Sequence, residues 1–504
     1  MEDKTRTNVV VNIIRTLVLT LLSFITFPWV CRYLGANNVG VYTWANTFVM
    51  YFLILAKIGI PNLAIRECVK VRDNKELLSN KVQTFFLIQL ITTVLSFGLM
   101  CTLVFSVTEF RNTNELIFLL SLNFLSGAFS FEWLFIALEK QFYMSVRSIA
   151  VLTLSAILII VFVTTPSDIY IYALIATSVT GLTTIANLIY SRKFISYKKT
   201  MPYSIREYIK PLLVIGAISL TISFYNQTDT LILGFLDEGK KEVASYSVGI
   251  KGIDVIIGII TALSTVFIPR AAICYAQEDK KYFHRLNKYS INICLFIVLP
   301  AIATMSTLSQ AITGLISGNY VFNDANVDYF NAPLVLTILS SMMLTYSLSD
   351  IIYGQILLPR KKEHFYLYAL LGGTLLNIGL SIVLGKYAFK YNPSIGVAIG
   401  TSFTDLLIFL FLAISNWKWV KNALFNRNSI KIFAVTFIIL GVSLWIKDPI
   451  YNLAYYNTSS AGTALVIELL SVVAVDAVIY IGLLILLRED LVSSFFRKKE
   501  VANG

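Results

Sequence analysis

The sequence predicts an all-α polytopic membrane protein of about 14 transmembrane helices. They form two six-helix lobes related by a pseudo-two-fold axis, then two C-terminal helices, with both termini inside. Three observations carry this prediction. Of the 504 residues 57% are hydrophobic and 14% charged, and a mean hydropathy of +0.73 is more apolar surface than a water-facing globule could hide. Apolar runs of about 20 residues, enough helix to cross about 30 Å of hydrocarbon, recur fourteen times between charged or turn-forming segments. Basic residues crowd every second connection.

The predicted spans are 9–31, 41–63, 82–106, 116–138, 148–164, 169–190, 211–235, 244–267, 289–315, 332–356, 365–385, 394–416, 430–446 and 464–487. No stretch reads as a soluble domain, and the alternating pattern of an outer-membrane barrel is absent. With the N-terminus inside, 31 of the 41 lysines and arginines fall on the inner side or at inner helix ends, 7 outside and 3 within spans. The heaviest inner loops are 66–81, 191–210 and 270–288. The positive-inside rule therefore gives N-in, C-in and an even number of helices. It also explains the net charge of +12 through basic loops facing anionic headgroups, so nucleic acid is not an expected partner and membrane lipids are. The five cysteines, without CxxC spacing, suggest neither disulfides nor a metal site. The first helix is full length and follows "MEDKTRT", a pattern closer to a signal anchor than to a cleaved signal.

The long basic loop ending in "EYIKP" divides the chain into 1–206 (six helices), 207–425 (six helices) and 426–504 (two helices and a tail). "RYLGANNVGVYTWANTF" after the first helix and "GFLDEGKKEVASYSVGIKG" after the seventh share an aromatic-Leu pair, a polar turn and a Val/Tyr start to the next span. An offset of six helices preserves orientation, as in parallel-repeat transporters.

"FPWVCRYLGANNVGVYTWANTFVMYFLILAKIGIPNLAIRE" (27–67) resembles the opening helices of Wzx-type lipid-linked oligosaccharide flippases. These polysaccharide exporters belong to the multidrug/oligosaccharidyl-lipid/polysaccharide exporter superfamily, which also holds the multidrug-and-toxin extruders and the lipid II flippases. "YNQTDTLILGFL" and "VASYSVG" resemble the start of their second lobe. The resemblance implies a MATE-like fold in a bacterial inner membrane, with a polyprenyl-diphosphate-linked glycan as substrate. It also implies a polysaccharide polymerase and chain-length machinery as partners in O-antigen, capsule or exopolysaccharide assembly.

Polar residues fall on helix faces that would not suit lipid. The first helix carries Asn8, Asn12, Arg15, Ser23 and Thr26; the second aligns Asn46 with Lys57 and breaks at "GIPN". The seventh has Ser219, Ser223, Asn226 and Thr230 in a stripe with Asp229 at its edge; the eighth has Ser247, Lys251, Asp254 and Gly258. Arg15 and Lys57 lie about 10 Å from the inner ends of their helices and Lys251 about 11 Å from the outer end of its own. Fixed cations at successive depths suit a diphosphate exchanging its hydration. Arg15, Lys57 and Lys251, with Asn12, Asn46 and Asn226, are therefore the candidate substrate-binding residues. Snorkelling by Lys57 and pairing of Lys251 with Asp254 are the competing structural readings.

Asp229, Asp254, Asp350 and Asp405 are acidic groups within the second-half helices. Buried carboxylates near neutrality invite either H+ or Na+, which would couple a gradient to lobe rocking without any other cofactor. Glu132 is the first-half acid. The expected function is a flippase and not an enzyme. A multidrug antiporter of the same fold, or a lipid II flippase, is the alternative. A membrane glycosyltransferase or polymerase would need catalytic groups on a sizeable outer loop, and the outer loops here are short.

Overall fold

The computed structural model describes residues 2–198, 202–320 and 327–492, with the side chains of these apart from 2–14, 16, 17 and 218. All regular structure among the described residues is helical, and thirteen helices there are long and apolar enough to cross a membrane. A spanning helix satisfies its own backbone where no water can. Large apolar side chains on mid-helix faces stay exposed, among them Leu375, Phe437 and Val478. Such faces belong against lipid.

The chain packs as two compact units, Met1–Val243 and Ala244–Gly504. The first contains α1 (Glu2–Lys57), α2 (Ile60–Lys70), α3 (Lys75–Ser106), α4 (Asn114–Leu120), α5 (Leu122–Ala128), α6 (Glu132–Ala137), α7 (Gln141–Phe162), α8 (Ile169–Ser191) and α9 (Ile205–Leu236). The seventh predicted span is α9, and it packs on α1, α2 and α3.

The first two predicted spans form one apolar stretch, Val18–Lys70, of 53 residues. As straight helix it would run about 80 Å, far beyond one bilayer. It is interrupted at Gly35, whose φ of 73° and ψ of 166° are not helical. Residues on both sides of that break meet the α7–α8 connection: Trp29 Nε1 donates to the Val163 carbonyl (2.9 Å) and Asn38 Nδ2 to the Pro166 carbonyl (2.7 Å). The two limbs of α1 therefore fold back as a hairpin, and fourteen passes follow from thirteen elements.

The predicted break at "GIPN" is present. Ile58 and Gly59 take φ of 27° and 73°, ending α1. A Cβ on Gly59 would lie 2.8 Å from the Gly216 nitrogen of α9, so only glycine allows this contact. Around it Ile60, Leu63, Phe85, Trp133, Leu134 and Leu212 form a buried core shared by α2, α3, α6 and α9.

The fourth predicted span, 116–138, departs from one continuous helix. It is three short helices, α4 to α6, and the broken backbone is satisfied from outside: Thr184 Oγ1 donates to the Ser126 carbonyl (3.0 Å) and Gln89 Nε2 to that of Gly127. Irregular backbone at membrane depth is tolerated where protein donors replace the helix bonds or where it lines a cavity. Both conditions hold here.

The second unit contains most of α10 (Lys241–Ala276), then α11 (Lys280–Thr307), α12 (Ser309–Ser317), α13 (Ala332–Ile351), α14 (Glu363–Val383), α15 (Pro393–Ser415), α16 (Trp417–Leu424), α17 (Arg427–Thr458) and α18 (Ala461–Leu486). α13 runs on as π-helix through Ile352–Leu357 and α14 through Leu384–Ala388. Side chains written into the sequence start two of these helices: Asp279 caps α11 through Tyr282 N–H (2.9 Å), and Asn426 caps α17 through the N–H groups of Asn428 and Ser429.

Loops sort to two faces of this unit. On one, Arg360 donates to Asn416 (2.8 Å), Asn426 to Asn292 (3.0 Å) and Lys431 to the Arg488 carbonyl (2.9 Å). On the other, Asn331 Nδ2 donates to Asn392 Oδ1 (3.0 Å), and the Tyr320 ring meets Gly462. Every one of these pairs joins loops or helix ends that the charge pattern assigns to the same side.

Candidate functional site

A cavity of about 320 Å³ lies within the first unit, lined by Leu19, Met50, Leu53 and Lys57 of α1 together with the broken fourth span, α7 and α8. Its chemistry is set by three charged side chains: Lys57, Glu132 and Arg147. Lys57 reaches it because the left-handed turn at Ile58 and Gly59 ends α1 there. Glu132 stands in the first turn of α6, a position that the helix dipole favours for an acid.

Arg147 sits two turns inside α7 and its side chain is 5% exposed. Its Nη2 donates to Glu132 Oε1 at 2.6 Å and to Ser148 Oγ at 3.2 Å, and its Nη1 donates to Asn187 Oδ1 of α8. The guanidinium carbon lies 5.9 Å from the centre of the Tyr143 ring. A planar fork of donors fits these partners, whereas lysine would present one point charge. Glu132 remains 46% exposed, so the pair borders open space. Two cations face one carboxylate in a wall otherwise made of serine, threonine, Asn123 and apolar groups. That wall can bind an anion whose other end is hydroxylated.

Arg15 precedes Leu19 by one turn on the same face of α1, and its Nε is buried without a hydrogen bond. Asn46 is half-buried and Asn226 exposed. The side chains of Asn8 and Asn12 lie outside the described residues. Asp229 is buried at 7% exposure, beside Thr228, whose Oγ1 is 3.1 Å from the Tyr51 hydroxyl of α1.

In the second unit Lys251 Nζ pairs with Asp254 Oδ2 at 3.3 Å, both half-exposed. Asp254, Asp350 and Asp405 stand on α10, α13 and α15; Asp405 is buried and Asp254 half-exposed. Beneath Asp405, Asn377 Nδ2 donates to Thr401 Oγ1 (3.1 Å) and Ser381 Oγ to Asn377 Oδ1 (3.3 Å), a buried polar ladder from α14 to α15.

Arg147 is the functional candidate that the sequence reading passes over. The fifth span is expected from residue 148, which leaves this arginine among the inner-end charges. The helix starts at Gln141, and the signal for it is the polar set Ser145, Arg147, Ser148 and Ser155 running into an apolar helix.

Fold and cavity together define a multi-pass helical membrane protein with a charged internal cavity. A multidrug resistance MATE family transporter of the MOP superfamily, solved in an inward-facing conformation, has the same fold: TM-score 0.58 at 16% identity, covering 80% of this chain and 96% of that one. A MATE structure in the bent conformation aligns at TM-score 0.48 and 16% identity over 81% of this chain and 95% of that one. Residues 5–273 match the polysaccharide biosynthesis protein family and 215–383 the MatE family. The chain belongs to the polysaccharide biosynthesis protein family. It is 24% identical over 391 residues to the "Putative O-antigen transporter" of Escherichia coli (strain K12), covering 77% of this chain and 91% of the relative. The superfamily resemblance drawn from residues 27–67 and 225–249 therefore holds.

Proposed function

We propose that this protein is a bacterial inner-membrane flippase. It carries an undecaprenyl-diphosphate-linked oligosaccharide from the cytoplasmic to the periplasmic leaflet by alternating access, driven by H+ or Na+. No bond is made or broken in the substrate, so the protein is not an enzyme. The observation that carries this reading is the excess of positive charge in the first unit's cavity, where Lys57 and Arg147 face Glu132. An organic cation would meet a carboxylate already engaged by arginine; a diphosphate would meet Lys57, with the buried Arg147 behind Glu132 adding to the positive field.

In this scheme Arg15 and Lys57 receive the diphosphate from the inner leaflet, Arg147 shapes the field, and Lys251 assists outward passage. Asn12, Asn46 and Asn226 offer hydrogen bonds to the sugars while the polyprenyl tail stays in lipid. Asp229, Asp254, Asp350 and Asp405 take up the coupling ion. Both termini face the cytoplasm, and the lobes 1–206 and 207–425 rock about the substrate, with 426–504 appended. A polymerase and its chain-length machinery would receive the product outside.

The test is transbilayer movement of a short undecaprenyl-diphosphate oligosaccharide in proteoliposomes, with ethidium efflux as control. Wild type should move the glycolipid, and Lys57→Ala and Arg15→Ala should each slow it at least about tenfold, equivalent to about 1.4 kcal/mol. Ethidium efflux without glycolipid movement would replace this reading with a multidrug extruder.

A further inference from the structure

A second pocket, about 490 Å³, opens on the basic face of the second unit, between α11, α16, the start of α17 and the turn after α18. Nothing in the transport scheme uses it. Arg285 and Lys288, one turn apart on α11, border it on one side, and no ion pair to either is recorded among the described residues. Trp419 of α16 forms another wall, held by a stack on His284 (ring centres 4.6 Å apart) and by the Arg360 guanidinium 5.2 Å from its ring. The amides of Asn422 and Asn428 and one carboxylate, Asp490, complete the polar lining. Asp490 Oδ2 already accepts from Asn428 Nδ2 at 2.6 Å, which fixes that amide. With Arg285 and Lys288 against Asp490, the pocket keeps a net positive charge.

Apolar side chains stand exposed on the same elements. Tyr289 of the lining is exposed, and Phe425 and Ile430, which flank the start of α17 next to the lining residues Ala423 and Asn428, are 68% and 67% exposed. A short helix reading "WKWVKNAL", with tryptophans beside lysines, is suited to the boundary between headgroups and acyl chains. The volume is within the range of small-ligand sites. A cationic floor with amide donors, beside exposed apolar side chains of α11, α17 and the turn before it, fits a phosphodiester carrying a hydroxylated alcohol and two acyl chains.

We infer that this pocket binds the headgroup of an anionic phospholipid. Arg285 and Lys288 hold the phosphate, the asparagine amides hold the headgroup hydroxyls, and the acyl chains lie along Phe425 and Ile430. On the orientation proposed above the lipid belongs to the inner leaflet; the binding itself does not depend on that orientation or on transport. A soluble phosphate ester shares the phosphate chemistry but has nothing to cover the exposed apolar side chains.

The experiment uses the full-length protein in nanodiscs of zwitterionic lipid, titrated with phosphatidylglycerol and read by native mass spectrometry of the released complex. One tightly retained phosphatidylglycerol is expected, weakened at least about tenfold in Arg285→Gln/Lys288→Gln. The single variant Lys288→Gln, with wild-type elution and melting temperature, guards against misfolding and should weaken retention in the same direction. Excess glycerol phosphate should leave the lipid bound. Equal retention by the folded variants would overturn the site. Displacement by glycerol phosphate would assign it to a soluble ester, and equal retention of phosphatidylethanolamine would overturn the anionic preference.

Discussion

Arg147 keeps its charge within α7 because Glu132, Ser148 and Asn187 stand where water would otherwise be. Breaking a fully buried pair costs about 3 to 5 kcal/mol. Glu132 is half-exposed and solvent screening reduces the figure, so Arg147→Gln should cost about 1 to 2 kcal/mol, read as a lower melting temperature in detergent. Glu132→Gln keeps a hydrogen-bond acceptor but leaves the buried Arg147 cation without its counter-charge, so it should cost at least as much stability, while sparing glycolipid movement in the folded fraction. Greater loss of glycolipid movement in folded Glu132→Gln than in folded Arg147→Gln would reverse the assigned roles. Glu489 gives a pH dependence. It is fully buried, its Oε2 accepts the N–H groups of Leu491 (2.8 Å) and Val492 (3.1 Å), and burial pushes its carboxyl above the ordinary range. The folded protein then holds this proton to higher pH than the unfolded chain does. Stability from this group is present at low pH and is lost as pH rises from the ordinary glutamate value through the raised one. Glu489→Gln should flatten the melting temperature across that interval and raise it above; an unchanged slope would show that another group titrates. Neither residue stands out in the sequence. Arg147 looks like one more inner-end cation, and Glu489 looks like a solvated tail charge beside Arg488 and Asp490, because partners from distant helices decide both cases.

At the scale of elements, the periodicity of apolar runs located nearly every span, since length and hydropathy alone decide what crosses a bilayer. The "GIPN" break was also legible, because glycine and proline act on their own backbone. The division of 116–138 into α4, α5 and α6 was not. Its sequence is apolar enough for one helix, and what opens it is hydrogen bonding from Gln89 on α3 and Thr184 on α8. Gln89→Leu would strand the Gly127 carbonyl in a site without water, at about 1 to 3 kcal/mol. The expected results are lower thermal stability and hydrogen exchange increased in 121–131 above that of α7. Exchange raised uniformly over the first unit would mean that Gln89 serves packing alone.

At the scale of the whole molecule, charge counting alone assigns sides; within the second unit, hydrogen-bonded loops and helix ends fall into the two sets that the counting predicts. Which set is cytoplasmic rests on the lysines and arginines. Tyr391, 89% exposed in the connection between α14 and α15, should be outside, and Lys361, between α13 and α14, inside. In a background without native cysteines, Tyr391→Cys should react with an impermeant maleimide in intact spheroplasts, and Lys361→Cys only after lysis. The opposite pattern would invert the orientation and place the lipid pocket in the outer leaflet. The segments 32–48 and 234–252, alike in sequence, turn differently: one breaks its helix at Gly35 alone, the other leaves 237–240 between α9 and α10.

Trp419 is one of six tryptophans, and it alone faces the headgroup pocket with an imidazole stacked on it and a guanidinium close to its ring. Indole emission responds to neighbouring charge and to the removal of water. The protein therefore carries its own optical probe of lipid occupancy: the part of its ultraviolet fluorescence that Trp419→Phe abolishes should shift as the anionic lipid is added, with no dye attached.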